Sequence, residues 1–450
     1  MPQSPDLIPL TDALLHAARK AGADAADALA VDGTSVSVDV LRGKLEQAER
    51  SEGIEIGLRV LIGKRQACVS ASDVSAFTIE QMAERAVAMA REAPEDPHIG
   101  LADADQLSRD WDVEALDLVD PSEGPSPAEL QDMAARAEAA ALAVSGVSQV
   151  SAAGAGYGDR RIHLAATNGF SGGYRRTGTS ISCVAITGEG TGMERDYYGD
   201  SRIHASDLDS PEKVGRIAAE RTVARKGSVK PPTGAYPVLF DERVAGTLIG
   251  HLLGAINGGS VARGATFLRD ALGQAVLPAG LTLTEDPLMP RISGSRPFDG
   301  EGLPVSARDI VSNGVLQGWV LDLATARKLG LQSTASASRG TSAPPSPSAS
   351  NVRLTQGDAS RQDLVERMGT GLLITSMIGS SINATTGDYS RGASGFWVEN
   401  GQISHPVNEC TVAGNLREML MTLVPANDAR RHVGRQVPSL LVEGLTIAGS

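Results

Sequence analysis

The sequence predicts an α+β fold: an N-terminal domain in which a helix and antiparallel strands occur twice over, then a C-terminal, strand-rich, mixed α/β domain. Three observations carry this reading. Over residues 35–72, Val and Ile alternate with polar residues and glycine interrupts the run at Gly43, Gly53 and Gly63, as in a meander of short antiparallel strands. Helix, strands and helix then recur in the same order before residue 227, the mark of an internal structural duplication. The two prolines of GSVKPPTG, residues 227–234, stop the helix before them and set a boundary between domains at 1–226 and 235–450.

Each element has its own signal. Residues 10–21 (LTDALLHAARKA) place apolar side chains at helical spacing behind Thr11 as N-cap, and Gly22 closes the segment. A second helix covers residues 77–93 (FTIEQMAERAVAMAREA), with a Thr near its start. After a Pro/Asp-rich connection, residues 94–129, the cycle repeats: a helix at 130–144, strands in VSQVSAAGAGYGDRRIHLAATNG and TSISCVAITGEGTGMERDYYGD, and a helix, SPEKVGRIAAERTVARK, ending near Lys226. Beyond the boundary, AYPVLFD reads as a strand and RVAGTLIGHLLGAING as a buried helix. The remainder is Gly-rich and strand-like. Its Ser/Pro segment at 339–351 (RGTSAPPSPSASN) is flanked by parts of one domain, so it reads as a long surface or cleft loop.

Composition agrees with a folded chain. At 450 residues it exceeds one ordinary core and suits two domains of roughly 200 residues each. Apolar residues at 41% and charged residues at 21% are near the globular average, and aromatics at 3% imply an aliphatic core. The net charge of −13 argues against nucleic acid as a partner, because a sequence-independent grip on phosphates needs Lys and Arg to displace counterions. The densest basic stretch, residues 221–230, reads as a solvated helix end. Cys68, Cys183 and Cys410 are far apart and form no CxxC pair, which implies free thiols filling core positions in a reducing compartment. With no signal-peptide pattern and no run of 18 apolar residues, the expectation is a cytoplasmic protein without a membrane span.

The usual catalytic motifs are missing. A zinc hydrolase needs two or three His, Cys or carboxylate ligands on rigid elements and a base beside the metal-bound water. None of the seven histidines lies within a helical turn of another. The densest candidate, SHPVNEC, would put His405 and Glu409 on one face of a strand and Cys410 on the other. GFSGG around Ser171 lies between strand-like stretches, not at a strand-to-helix elbow, and Gly154, Gly156 and Gly158 do not open a helix. In FDGEGLP, Asp299 and Glu301 form either a carboxylate pair for acid/base work or, more simply, a tight turn.

Four ordered stretches of the second half closely resemble the TldD/PmbA family, and within it the PmbA branch, also called TldE. They are FDGEGLPVSARDIVSNGVLQGWVLDLATARKLGLQSTASASRG, TTGDYSRGASGFWVENGQISHPV, TVAGNLREML and PSLLVEGLTIAG. The likeness is dense from about residue 235 and looser before it. It implies two related subunits, TldD and TldE, that assemble into a zinc metalloprotease acting on unfolded peptides, in proteolysis and in peptide maturation. In the family only TldD carries the metal, on an HExxxH helix and a cysteine near the C-terminus. The corresponding helix here is AGTLIGHLLGAINGG, which puts Gly250 at the first His, His251 at the catalytic Glu and Ala255 at the second His. No cysteine falls between Leu416 and Pro438, and Cys410 lies upstream.

The resemblance therefore implies a hydrolase subunit with no catalytic residue, metal or cofactor of its own, inactive alone, with zinc expected in a TldD-like partner. Asn257, Asp299, Glu301 and Asn415, within the best-matched motifs, are the expected cleft or interface positions. Partners would be unfolded peptide and a homologous subunit, in a heterodimer or a homodimer, since related subunits present similar surfaces. The alternative is a free-standing homodimeric binding or regulatory protein, in line with older labels that speak of a gyrase modulator. An independent hydrolase using His251 or the Asp299/Glu301 pair ranks last.

Overall fold

In the computed structural model, residues 6–449 are described. The first half is built as the period and order of its sequence predict. Helix α1 (Ile8–Ala21) leads into strands β1 (Ala25–Leu41), β2 (Lys44–Ile62) and β3 (Arg65–Ala71), followed by α2 (Ala76–Glu92). The set recurs as α3 (Pro127–Leu142), β4 (Val147–Ala166), β5 (Ser171–Thr187), β6 (Glu194–Arg202) and α4 (Pro211–Val223). The six strands form one antiparallel sheet in the order β3-β2-β1-β4-β5-β6, joined at its centre by β1 and β4. These four helices cover one face: Ala28 and Ala30 of β1 pack with α1 and α2, while Ala153 of β4 and Cys183 of β5 pack with α3 and α4. Because side chains alternate along a strand, Leu29 and Val31 point to the opposite face, toward Phe170 and Phe298.

Several local expectations needed correction. Thr11 does not cap α1, which begins earlier with a proline in its first turn; its hydroxyl donates to the Ile8 carbonyl and meets His163 Nδ1 at 2.9 Å. Gly22 does close the helix, at φ 98°. Thr78 lies in the first turn of α2, and Ser75 caps that helix by accepting from the Thr78 N–H. Gly43 and Gly63 lie at turns with positive φ, but Gly53 sits inside β2, directly opposite Gly33 of β1. The basic stretch after α4 is not all solvated: Arg225 is buried, bonded to Glu194 at 3.2 Å and to Ser394 of the second half at 2.9 Å. Arg243 adds a second tie by donating to Asp196 at 3.0 Å.

Helices α3 and α4 touch at Gly215, where an added Cβ would overlap the Ala137 carbonyl oxygen and lie 3.0 Å from the Ala141 nitrogen. Overpacking of a fixed backbone contact typically costs about 1–3 kcal/mol. Gly215→Ala is expected to lose that much stability in urea denaturation, and an unchanged midpoint would show that the helix pair yields.

In the second half, β7 (Gly234–Phe240), helix α5 (Glu242–Ala255), β8 (Gly371–Ile382), β9 (Asp388–Glu399), β10 (Gln402–Asn415) and β11 (Leu440–Ala448) make the main unit. The strands pair in the order β10-β9-β8-β7-β11, and β10 also pairs with β11 from Thr411↔Ala448 to Ala413↔Thr446, which closes the five strands into a ring. The apolar side of α5, with Leu248, Ile249 and Leu252, packs with Val238, Phe240, Leu372 and Ile374 in the largest core cluster. Helix Arg361–Met368 covers the other face at Leu239, Leu373 and Leu441. The segment between α5 and β8 supplies four short strands of a small five-stranded sheet, among them Leu283–Glu285 and Arg308–Ser312, and Arg435–Gln436 from beyond β10 adds the fifth. Among the described residues no helix is long and apolar enough to cross a membrane.

Candidate functional site

Helix α5 is capped by Asp241, whose side chain accepts from the Arg243 N–H, and its glycines give it one bare side. Arg435 fills that side. Its guanidinium donates to the Gly246 carbonyl at 3.3 Å, and a Cβ built on Gly250 would stand 2.9 Å from Arg435 Nη1. Ala255 is buried in the core. His251 lies edge-on to the Tyr389 ring, with centroids 5.9 Å apart, and its Nε2 is buried with no hydrogen-bond partner among the described residues. Burial, then the charges of Arg391 and Arg435, lower the His251 pKa to about 4, so the ring is neutral at pH 7. Zinc needs several N, S or O donors converging on one point. Gly250 and Ala255 bring none, a guanidinium lies across the bare side, and no group of three His, Cys, Asp or Glu able to hold a metal occurs among the described residues. The side chains present on α5 do not fit a zinc ion.

SHPVNEC does not converge either. His405 Nδ1 meets Ser404 Oγ at 3.0 Å, Glu409 has positive φ (52°) and faces Lys230 at 3.5 Å, and Cys410 is buried with its thiol donating to the Ala393 carbonyl.

The four candidate cleft positions separate into two kinds. Asn257 and Asn415 are helix caps: Asn257 accepts from the Gly259 N–H at 3.0 Å and donates to the Pro347 carbonyl at 2.7 Å, while Asn415 accepts from the Arg417 N–H at 3.0 Å. Asp299 and Glu301 come together where the halves meet. Asp299 is buried and accepts from the N–H groups of Glu301, Leu303 and Ala337 at 2.9, 2.9 and 3.1 Å, which makes the tight turn. Glu301 accepts from the Leu323 N–H at 2.8 Å. Burial, then the neighbouring Asp299 and Asp322 carboxylates, push the Glu301 pKa up to about 8, and burial raises Asp299 as well.

Sequence reasoning missed the charged cluster beside this pair. Asp27 on β1 and Arg59 on β2 are cross-strand partners, and Arg339, from the Ser/Pro loop, reaches the same carboxylate. All three side chains are at most 5% exposed. The signal was a charge of each sign inside otherwise apolar strand text, AADALAV and GLRVLI. A second missed pair joins Ser171 Oγ and His163 Nε2 at 3.3 Å, but the far ring nitrogen meets the Thr11 hydroxyl and not a carboxylate, so the orienting acid of a hydrolytic triad is missing.

Comparison with known proteins decides the family. Models described as PmbA/TldA metallopeptidase domain 1, central domain and C-terminal domain match residues 26–90, 120–226 and 233–449. A metalloprotease PmbA of Escherichia coli O157:H7 is 38% identical over 428 residues, covering 95% of this chain and 92% of that protein. The chain belongs to the PmbA/TldD family. A Bacteroides thetaiotaomicron crystal structure, of a protein proposed as a modulator of DNA gyrase, superposes with TM-score 0.90 at 26% identity over 98% of both chains. TldE of Thermococcus kodakarensis shares the fold, with TM-score 0.83 at 19% identity over 98% of this chain and all of that one. TldD-type relatives are more distant: a TldD homologue of Buchnera aphidicola is 24% identical over 236 residues, 48% of this chain and 49% of its own. The PmbA/TldD fold is thus the mixed α/β architecture with a strand-rich second half seen here.

Proposed function

We propose that this chain is the non-metallated, TldE-type subunit of a TldD/TldE zinc metalloprotease acting on unfolded peptides in the cytoplasm, with zinc held by its TldD-like partner. The observation that carries the reading is the bare side of α5, where Gly250 and Ala255 offer no donor and Arg435 lies across Gly250. In this reading the segments 1–226 and 235–450 are its two domains, and its task is to shape the chamber and hold substrate backbone. Among the described residues the first half of β2, Lys44–Glu55, pairs only with β1, since β3 lies alongside Ile56–Ile62 and ends opposite Ile56, so its outer edge is open for a peptide strand to add to.

Zinc content and peptidase activity on an unfolded peptide, measured for the chain alone and mixed with the TldD of its own organism, test this. Expected are no zinc and no cleavage alone, and one zinc per pair with cleavage in the mixture. Stoichiometric zinc or cleavage by the chain alone would overturn the reading. A stable homodimer that leaves TldD activity unchanged would favour the free-standing regulatory protein.

A further inference from the structure

The face of the six-stranded sheet opposite helices α1–α4 is laid out in rows fixed by strand register. Gly57, Leu29, Leu164 and Gly172 form one row, and Glu55, Val31, Ile162 and Tyr174 the next. Then come Gly53, Gly33, Arg160 and Arg176, and beyond them Ser51, Ser35, Gly158 and Gly178. The second half lies over the first row: a Cβ on Gly57 would overlap the backbone of Thr341, and the Thr341 hydroxyl donates to the Glu55 carboxylate. The row of Val31 and Ile162 is left as the floor of a cleft of about 260 Å³, roofed by Phe298 and the Ala337–Thr341 backbone. It runs on into an open trough of about 620 Å³ over the glycine and serine rows.

Three arginines line this cleft. Arg339 is 2% exposed, and among the described residues only its Nη1 is used, on Asp27; Nε and Nη2 are buried and meet no acceptor there. Arg296 gives Nη1 to the Ala337 carbonyl at 2.8 Å and Nη2 to the Ser348 carbonyl at 3.4 Å, and its Nε is likewise buried without a partner among the described residues. Arg160 is exposed at the mouth, with no hydrogen bond or ion pair among the described residues. The acids nearby are already engaged: Asp299 by three backbone N–H groups, Asp27 by Arg59 and Arg339, Glu55 by Thr341. Buried N–H donors without acceptors are costly, and a planar guanidinium is matched by a carboxylate.

The geometry points to a carboxylate-binding cleft: Arg160, Arg296 and Arg339 take the carboxylate of a ligand whose apolar side chain rests on Val31, Ile162 and Phe298. A free N-acylated amino acid and the C-terminal end of a peptide share this chemistry, and the trough gives the peptide's preceding residues a path over small side chains. The inference does not depend on the partner-subunit reading, since it concerns binding by this chain alone.

Calorimetric titration of the full chain with N-acetyl-leucine, a leucine-terminated tetrapeptide and the C-terminal amide of each tests it. Both acids are expected to bind at least tenfold more tightly than their amides. A tetrapeptide acid that binds more tightly than N-acetyl-leucine assigns the cleft to peptide ends, and equal affinity assigns it to the free acid. Arg160→Ala is expected to weaken acid binding at least tenfold while leaving the thermal midpoint unchanged, because Arg160 holds nothing in the fold. Amides that bind as well as acids, an undetectable acid, or an Arg160→Ala protein with unaltered affinity would overturn the assignment. The acid-against-amide comparison uses the unaltered chain, so it stands whatever any variant does to folding.

Discussion

Asp27→Ala is expected to cost about 3–5 kcal/mol of stability, because it strands two buried arginines without their counter-charge. Asp27 Oδ2 accepts from Arg59 Nε at 2.8 Å, and Oδ1 accepts from Arg339 Nη1. Among the described residues Arg59 retains one weak side-chain partner, Gln66 at 3.3 Å, and Arg339 retains none. The loss should also reach the halves' association, since Arg339 belongs to the second half and Asp27 to the first. Burial alone would raise the Asp27 pKa, but the Arg339 and Arg59 charges outweigh it and hold the carboxyl below its ordinary value. A depressed acid contributes its full stability above the unfolded pKa near 4, and loses it as pH falls through the lower folded value. Urea denaturation at pH 7 should show the whole loss, and the gap between wild type and variant should shrink only on acidification below about pH 4. A loss under about 1 kcal/mol at pH 7 would mean that water reaches the two arginines. Replacing Asp27, Arg59 and Arg339 together by Leu, Met and Met should recover most of the loss, because no charge is then left buried.

What was legible in the sequence follows from how local each signal is. The repeated helix and strand order rests on period and on turn glycines such as Gly43 and Gly63, and both are properties of neighbouring residues. Gly53 misled because a glycine at a turn and a glycine opposite another glycine in a long hairpin look the same along the chain; only the register with Gly33 separates them. The closure of the ring by β10 and β11 joins residues more than thirty positions apart and leaves no pattern in either strand. At α5, the text AGTLIGHLLGAING shows that Gly250 and Ala255 carry no donor, but the residue that covers Gly250 is Arg435, nearly two hundred positions away. Asn257 and Asn415 were legible as residues in well-matched motifs, and their roles as helix caps explain why those motifs want a short amide there. The carboxylate cleft was the least legible feature, since its three arginines come from β4, a turn and a Ser/Pro loop and meet only when the halves dock.

Glu301→Gln is expected to make the protein more stable at pH 8 and to leave it little changed at pH 4. In the unfolded chain a Glu ionises near pH 4.3. In the fold, burial and the Asp299 and Asp322 charges keep the proton on Glu301 until about pH 8. Between those two values the native state binds one proton more than the unfolded state, so this group's contribution is complete below about pH 4.3 and declines as pH rises toward 8. A tenfold difference in proton affinity between the folded and unfolded chain corresponds to about 1.4 kcal/mol, so the decline across the window is on the order of a few kcal/mol. A Gln side chain keeps an acceptor for the Leu323 N–H, now 2.8 Å from Oε2, and brings no charge. The comparison is a pair of thermal or urea unfolding curves at pH 5 and pH 8 for both proteins. The variant should lose its pH dependence over that span relative to wild type, with most of its gain at pH 8. Parallel curves at both pH values would show that Glu301 is ionised throughout, and that the Arg59 charge, which acts on it in the opposite sense, outweighs burial and the two neighbouring acids.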